Sequence, residues 1–141
     1  MSTEDIISAR RDAAIQKWTE AVFAMYPFET TGFIRTQRDQ FANPVGHATR
    51  AAGEQLYDAV TGRDVDMEKV HASVAALIRI RAVQDLKPEQ AVGVLYLYKS
   101  VLRELLLADM LAAGDVQGFL DMGDRLDTLC LMAFNLYLAD R

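Results

Sequence analysis

The chain has 141 residues, 51% of them hydrophobic and 25% charged, which suits one domain with a real core. Its formal net charge of -5 and sequence pI near 4.9 argue against nucleic acid and anionic membrane surfaces, both of which ask for clustered Lys and Arg. A single cysteine, Cys130, excludes an intramolecular disulfide and any zinc site built from cysteines, and it fits a reducing, cytoplasmic compartment.

The opening MSTEDIISARR places acidic residues before a charged helix and does not read as a secretory signal. A first helix is predicted from about Thr3 to Tyr26, with Ile7, Ala14, Trp18, Ala21, Val22 and Met25 at helical spacing. Pro27 stops it, having no amide proton and clashing with the preceding turn. Residues Thr30 to Arg38 form a short second helix bearing Phe33 and Ile34. Asn43 is a good N-cap and Pro44 suits the first position of a third helix, which runs to Val60 and is stopped by Gly62. Val45, Thr49, Ala52, Leu56 and Tyr57 share one of its faces. Asp66 to Lys69 resembles a capping box and opens a fourth helix that ends near Asp85, with Val70, Val74, Leu77, Ile78 and Arg81 on one face. A long fifth helix is predicted from Pro88 to about Ala113, striped by Ala91, Leu95, Tyr98, Leu102, Leu105 and Leu106. Within it Val92 to Tyr98 has local strand character, but the 3.6 period continues on both sides. After Gly114 a last helix runs from about Val116 to Ala139, with Phe119, Leu126, Leu129, Cys130, Ala133, Phe134 and Tyr137 inward. No alternating segment of strand length survives, so the class is all-α. The longest uncharged run, Thr128 to Ala139, is too short to cross a bilayer as a helix.

Little of this assembles chemistry. His71 on the fourth helix is the one candidate for a haem axial ligand, and a surface histidine is the plainer reading. Glu68 and His71 match half of a di-metal motif that needs a second half and further carboxylates, so no metal site is expected. Asp121, Asp124 and Asp127 read as a solvated acidic face, and Cys130 as an unreactive core thiol. No nucleotide-binding glycine loop or nucleophile elbow is present, so no cofactor and no catalysis are expected. A polar cluster remains: Arg79, Arg81, Gln84 and Asp85. Arg81 falls on the apolar stripe, where a guanidinium needs partners, and Asp85 lies one turn on. The pair is either a structural tie before Pro88 or a latch that a ligand or partner resets.

Two stretches carry a family resemblance. One is Phe41-Ala42-Asn43-Pro44-Val45-Gly46 followed by Leu56-Tyr57. The other is Ile78 to Asp85 followed by Pro88, Ala91, Val92, Gly93 and Lys99. With Trp18 and Tyr26-Pro27, the chain resembles the N-terminal domain of RsbT co-antagonist (RsbR/RsbRD-type) proteins, most evidently from Trp18 to Leu106. The resemblance implies a globin-like helical fold that holds no haem. It also implies a dimer built from the last two long helices, and a sensory role in stress signalling ahead of a STAS output domain. It supplies no catalytic residues. The sequence ends at Arg141 without room for such an output domain, so a free-standing sensor handing its state to a separate protein is expected.

The residues agree with parts of this. Two long helices joined at Gly114-Asp115 make an antiparallel hairpin. Val94, Leu97, Val101 and Leu107 lie beyond the main stripe of the first, and a homodimer through 88–113 and 116–139 is expected to bury them. A ligand pocket between the fourth helix and the hairpin would be lined by Val70, Val74, Ile78, Leu95 and Tyr98, which serve equally well as core. A haem-bearing globin with His71 inward is the alternative reading.

Overall fold

The computed structural model describes residues 1–84 and 86–139. Among these residues every regular element is helical. Helix α1 (Thr3–Phe23) opens on a reciprocal cap, in which the Ser2 hydroxyl accepts from the Asp5 amide and the Asp5 carboxylate accepts from the Ser2 amide, both at 3.2 Å. It ends three residues before Tyr26. The amides of Met25 and Tyr26 fall back onto the carbonyls three residues earlier, and this tightened exit leaves Met25 outside the expected stripe, 51% exposed. Helix α2 (Phe28–Thr36) starts earlier than Thr30 because the Pro27 carbonyl accepts from the amides of Thr30 and Thr31.

Helix α3 (Pro44–Val60) begins and ends where expected. Asn43 is buried, accepts from the Gly46 amide at 2.9 Å, and donates through Nδ2 to the carbonyl of Ile34 at 2.7 Å and of Gln37 at 3.1 Å. One side chain thus caps α3 and closes the connection from α2. A Cβ on residue 46 would collide with that amide group, which is why Gly46 follows Asn43 and Pro44. Helix α4 (Met67–Val83) is capped by Asp66, whose carboxylate accepts from the Glu68 amide at 3.0 Å.

The expected fifth helix is a segmented rod. It consists of α5 (Pro88–Val92), a 3-10 turn (Gly93–Tyr96), α6 (Leu97–Leu102), a π turn (Arg103–Leu107) and α7 (Ala108–Ala112). Helix α8 (Val116–Ala139) returns beside it. The corners after α3 and α7 use Gly62 (φ 83°) and Gly114 (φ 76°), and in each the following amide reaches a carbonyl five residues back.

Helix α3 lies between α1 and α4, and α8 lies on α4 and on the rod. Buried residues of α1, α3, α4, the rod and α8 form one apolar cluster. At its centre the Trp18 and Tyr98 rings stack at 4.9 Å with planes 9° apart. Their polar tips are used: the Trp18 indole donates to the Val94 carbonyl at 2.8 Å and the Tyr98 hydroxyl to that of Gly53 at 2.6 Å. A side chain at residue 53 would crowd the Trp18 ring at 3.1 Å, so Gly53 sets the approach of α1 and α3. Tyr57 similarly donates to the Ile7 carbonyl at 2.7 Å, and burial pushes its phenol up to about 12.

Two expectations about the hairpin fail. Val94, in the 3-10 turn, and Val101, in α6, do not form a second surface face; both are buried inside the chain. Phe134, expected inward, is 43% exposed, and Met122 takes an inward place instead.

Candidate functional site

The polar cluster expected near Pro88 resolves into a junction between α4 and the rod. Arg81 is only 2% exposed. Its Nε donates to the Ala91 carbonyl at 3.2 Å, Nη2 to the Gln90 carbonyl at 2.9 Å, and Nη1 to the Tyr26 hydroxyl at 3.2 Å. The guanidinium also lies 5.9 Å from the centre of the Tyr26 ring. Tyr26 in turn donates to the Gln84 side-chain carbonyl at 3.1 Å.

These carbonyls are accessible for a geometric reason. The Gly93 amide still bonds back to Glu89, four residues away, while the turn that follows uses three-residue steps. A change of step skips one carbonyl, and that of Gln90 lies at the change. The arginine occupies the acceptor the helix leaves over. Burial lowers the Arg81 pKa, and the Tyr26 dipole and hydrogen bond oppose that shift. Around the junction a cleft of about 290 Å³ opens, lined by Tyr26, Arg81, Gln84, Leu86 and Gln90 among others.

The remaining candidates separate. Val74, Ile78 and Tyr98 are core residues, at most 1% exposed, as are Val70 and Leu95. Arg79 is on the exposed side of α4. Asp85, the expected ion-pair partner of Arg81, lies outside the described residues. The partners Tyr26, Gln90 and Ala91 were not anticipated, since only tertiary packing brings them together. His71 is exposed on α4, so the inward position that haem ligation needs is not taken. Asp121, Asp124 and Asp127 do not converge. Asp121 accepts from Gln117 and Asp127 pairs with Lys99 at 2.9 Å, and among the described residues no group of His, Cys, Asp or Glu could hold a metal ion. Cys130 is buried, and burial pushes its thiol up to about 11, away from nucleophilic use.

The outer face of the hairpin differs from this interior. Val116, Leu120, Leu131, Phe134 and Leu138 are 43% to 67% exposed and lie along one side of α8. Tyr96 stands beside them on the rod, 47% exposed. Val92, Tyr96, Cys130, Leu131 and Phe134 line an open apolar hollow of about 470 Å³. Gly93 and Gly123 on these elements have open space where a Cβ would stand, so no contact within the chain calls for a glycine there. No described helix is long and apolar enough to cross a membrane.

Residues 12–141 match the family model of the RsbT co-antagonist protein rsbRD N-terminal domain. No curated protein and no solved structure matches the chain. The chain therefore belongs to the family of RsbT co-antagonist N-terminal domains, a family of regulatory sensory domains.

Proposed function

We propose that this member of the RsbT co-antagonist N-terminal domain family is a non-catalytic, cytoplasmic sensory and interaction domain. In this reading it works as a homodimer through the rod and α8 and hands its state to an output protein. The observation that carries the reading is the apolar outer face of the hairpin. Monomeric proteins seldom leave a run of large apolar side chains uncovered, and such a face is ordinarily an interaction surface. A second copy is the favoured occupant. An antiparallel hairpin can meet its own image about a two-fold axis, which closes the assembly. Gly93 and Gly123 supply flat places where another helix can come near.

Sensing requires two packings of different affinity for ligand or partner. The Arg81 junction is the natural element to reset, because it joins α4 to the rod through two hydrogen bonds and to Tyr26 through a third, rather than through apolar burial alone. The globin-like fold and the absence of haem come from the family resemblance. The exposure of His71 agrees with the latter.

Light scattering tests the assembly at micromolar concentration. The expected result is a dimer that becomes a monomer in the double variant Leu131→Asp, Phe134→Asp, with the helical circular dichroism retained. A wild-type chain that is monomeric there would sink this reading.

A further inference from the structure

We infer that the cleft between α1, the connection after α2, and α3 binds a small organic oxyanion, a phosphate ester or a carboxylate, through Arg38, Arg50 and Thr19. This goes beyond the reading above and does not depend on the hairpin.

The first observation is one of charge. The chain is net negative, yet this cleft of about 300 Å³ is lined by four arginines, Arg11, Arg35, Arg38 and Arg50, against three carboxylates, Asp12, Glu20 and Glu54, and Arg11 is committed to Asp58. Arg35 is neutralised by Glu20 at 2.6 Å. Arg50 is in no ion pair within contact distance among the described residues, although the Glu20 charge reaches it. It donates Nη2 to the carbonyls of Ile34 at 3.3 Å and Arg35 at 2.6 Å, and its guanidinium lies 5.3 Å over the Phe23 ring. These contacts fix its position without cancelling its charge. Arg38 is exposed and makes no hydrogen bond or ion pair among the described residues. Burial lowers the Arg50 pKa and the nearby Arg38 charge lowers it further, while the Glu20 carboxylate opposes both. Two like charges lining one cleft, one held in place and the other uncommitted, favour an anion between them.

The second observation is independent. Thr19 lines the same cleft, is 7% exposed, and its hydroxyl is the one buried side-chain oxygen or nitrogen without a partner among the described residues. A helical threonine normally returns its hydroxyl to the carbonyl one turn back. Thr49 does so to Val45 and Thr61 to Tyr57, each at 2.7 Å. Thr19 does not. An unused buried hydroxyl costs stability, and it is accounted for if it donates to a ligand oxygen. Ile15 and Phe23 offer apolar surface to the organic part of the ligand, and the volume limits that ligand to a small molecule.

The test uses the full chain and four probes: inorganic phosphate, pyrophosphate, glycerol phosphate and succinate, each against chloride at matched ionic strength. Thermal melts and calorimetric titration are read. At least one probe is expected to bind saturably. Arg38→Gln should weaken it about tenfold, the loss of one charge-assisted contact. Lys69→Gln, at an exposed position on α4, should leave it unchanged. Thr19→Val should raise the melting temperature without probe and lower the probe's affinity. Saturation by glycerol phosphate but not succinate assigns phosphate chemistry, and the reverse assigns a carboxylate. Binding should persist in the Leu131→Asp, Phe134→Asp variant, which separates this inference from the dimer. No saturation by any probe, or saturation indifferent to Arg38→Gln, overturns the proposal. Full affinity in Thr19→Val removes the hydroxyl from the site and overturns it as stated.

Discussion

The inner and outer faces of the hairpin formed by the rod and α8 are built on opposite lines. Inward, large side chains meet α1, α3 and α4, and their polar tips find backbone carbonyls: Trp18 on Val94, Tyr98 on Gly53, Arg81 on Gln90 and Ala91. Outward, Tyr96, Leu131 and Phe134 stand around a hollow that no further element covers among the described residues. The inner face uses hydrogen bonds to fix one register among apolar contacts that would tolerate several. The outer face carries large apolar side chains without such bonds and leaves them exposed.

Three experiments bear on this contrast beyond the oligomer test. The largest effect is expected from Trp18→Ala, which empties the centre of the core, removes the stack on Tyr98 and strands the Val94 carbonyl. A loss of about 3–5 kcal/mol is expected in urea denaturation. A loss below about 1 kcal/mol would mean that the inner face is not the organising one. Next is Arg81→Met, which keeps the apolar stem and deletes three hydrogen bonds at the junction. It should cost about 2–3 kcal/mol. An unchanged or higher stability would show that desolvating the cation outweighs its bonds, as happens with some buried ion pairs.

The smallest effect is expected from pH, and it concerns Cys130, beneath the outer hollow. The thiol's ordinary value is 9.0, and in the folded chain it rises to about 11 through burial. Between these values the unfolded chain has lost the proton that the folded chain keeps. The contribution to stability is therefore complete below pH 9 and is lost as pH rises toward 11. Cys130→Val should flatten that part of a stability profile measured by urea denaturation. An unaltered profile would place the alkaline loss on Tyr57 or Tyr98, whose phenols burial also raises.

Much of the inner face was legible from the sequence. Asn43-Pro44 and Gly62 mark the ends of α3, and the bounds of α8 follow its pattern, because capping and turn chemistry are local. The burial of Arg81 followed from its place on an apolar stripe. Its partners did not, since Tyr26 lies 55 residues away and the Gln90 carbonyl is free only because the rod changes pitch. The 3-10 turn itself was hidden. Val92 to Tyr98 carries both strand and helix character, and a periodicity averaged over the rod cannot register a tighter step of four residues. The outer stripe on α8 was blurred for the reverse reason. An apolar residue such as Phe134 looks the same in sequence whether it faces the core or a second copy.

That tight turn gives the rod a property of its own. A 3-10 segment winds by a third of a revolution per residue, and an α-helix by somewhat less. If Gly93–Tyr96 relaxed to α-helical winding, everything beyond it would rotate by about 80° relative to α5. The π turn at Arg103–Leu107 is wound more loosely than an α-helix, so α6 lies between an overwound and an underwound segment. The Trp18 bond to Val94 lies inside the first of these, and the Arg81 bonds lie at its edge. Those contacts hold the rod at this winding, and a change in it would turn the outer face of the rod as a crank turns its shaft.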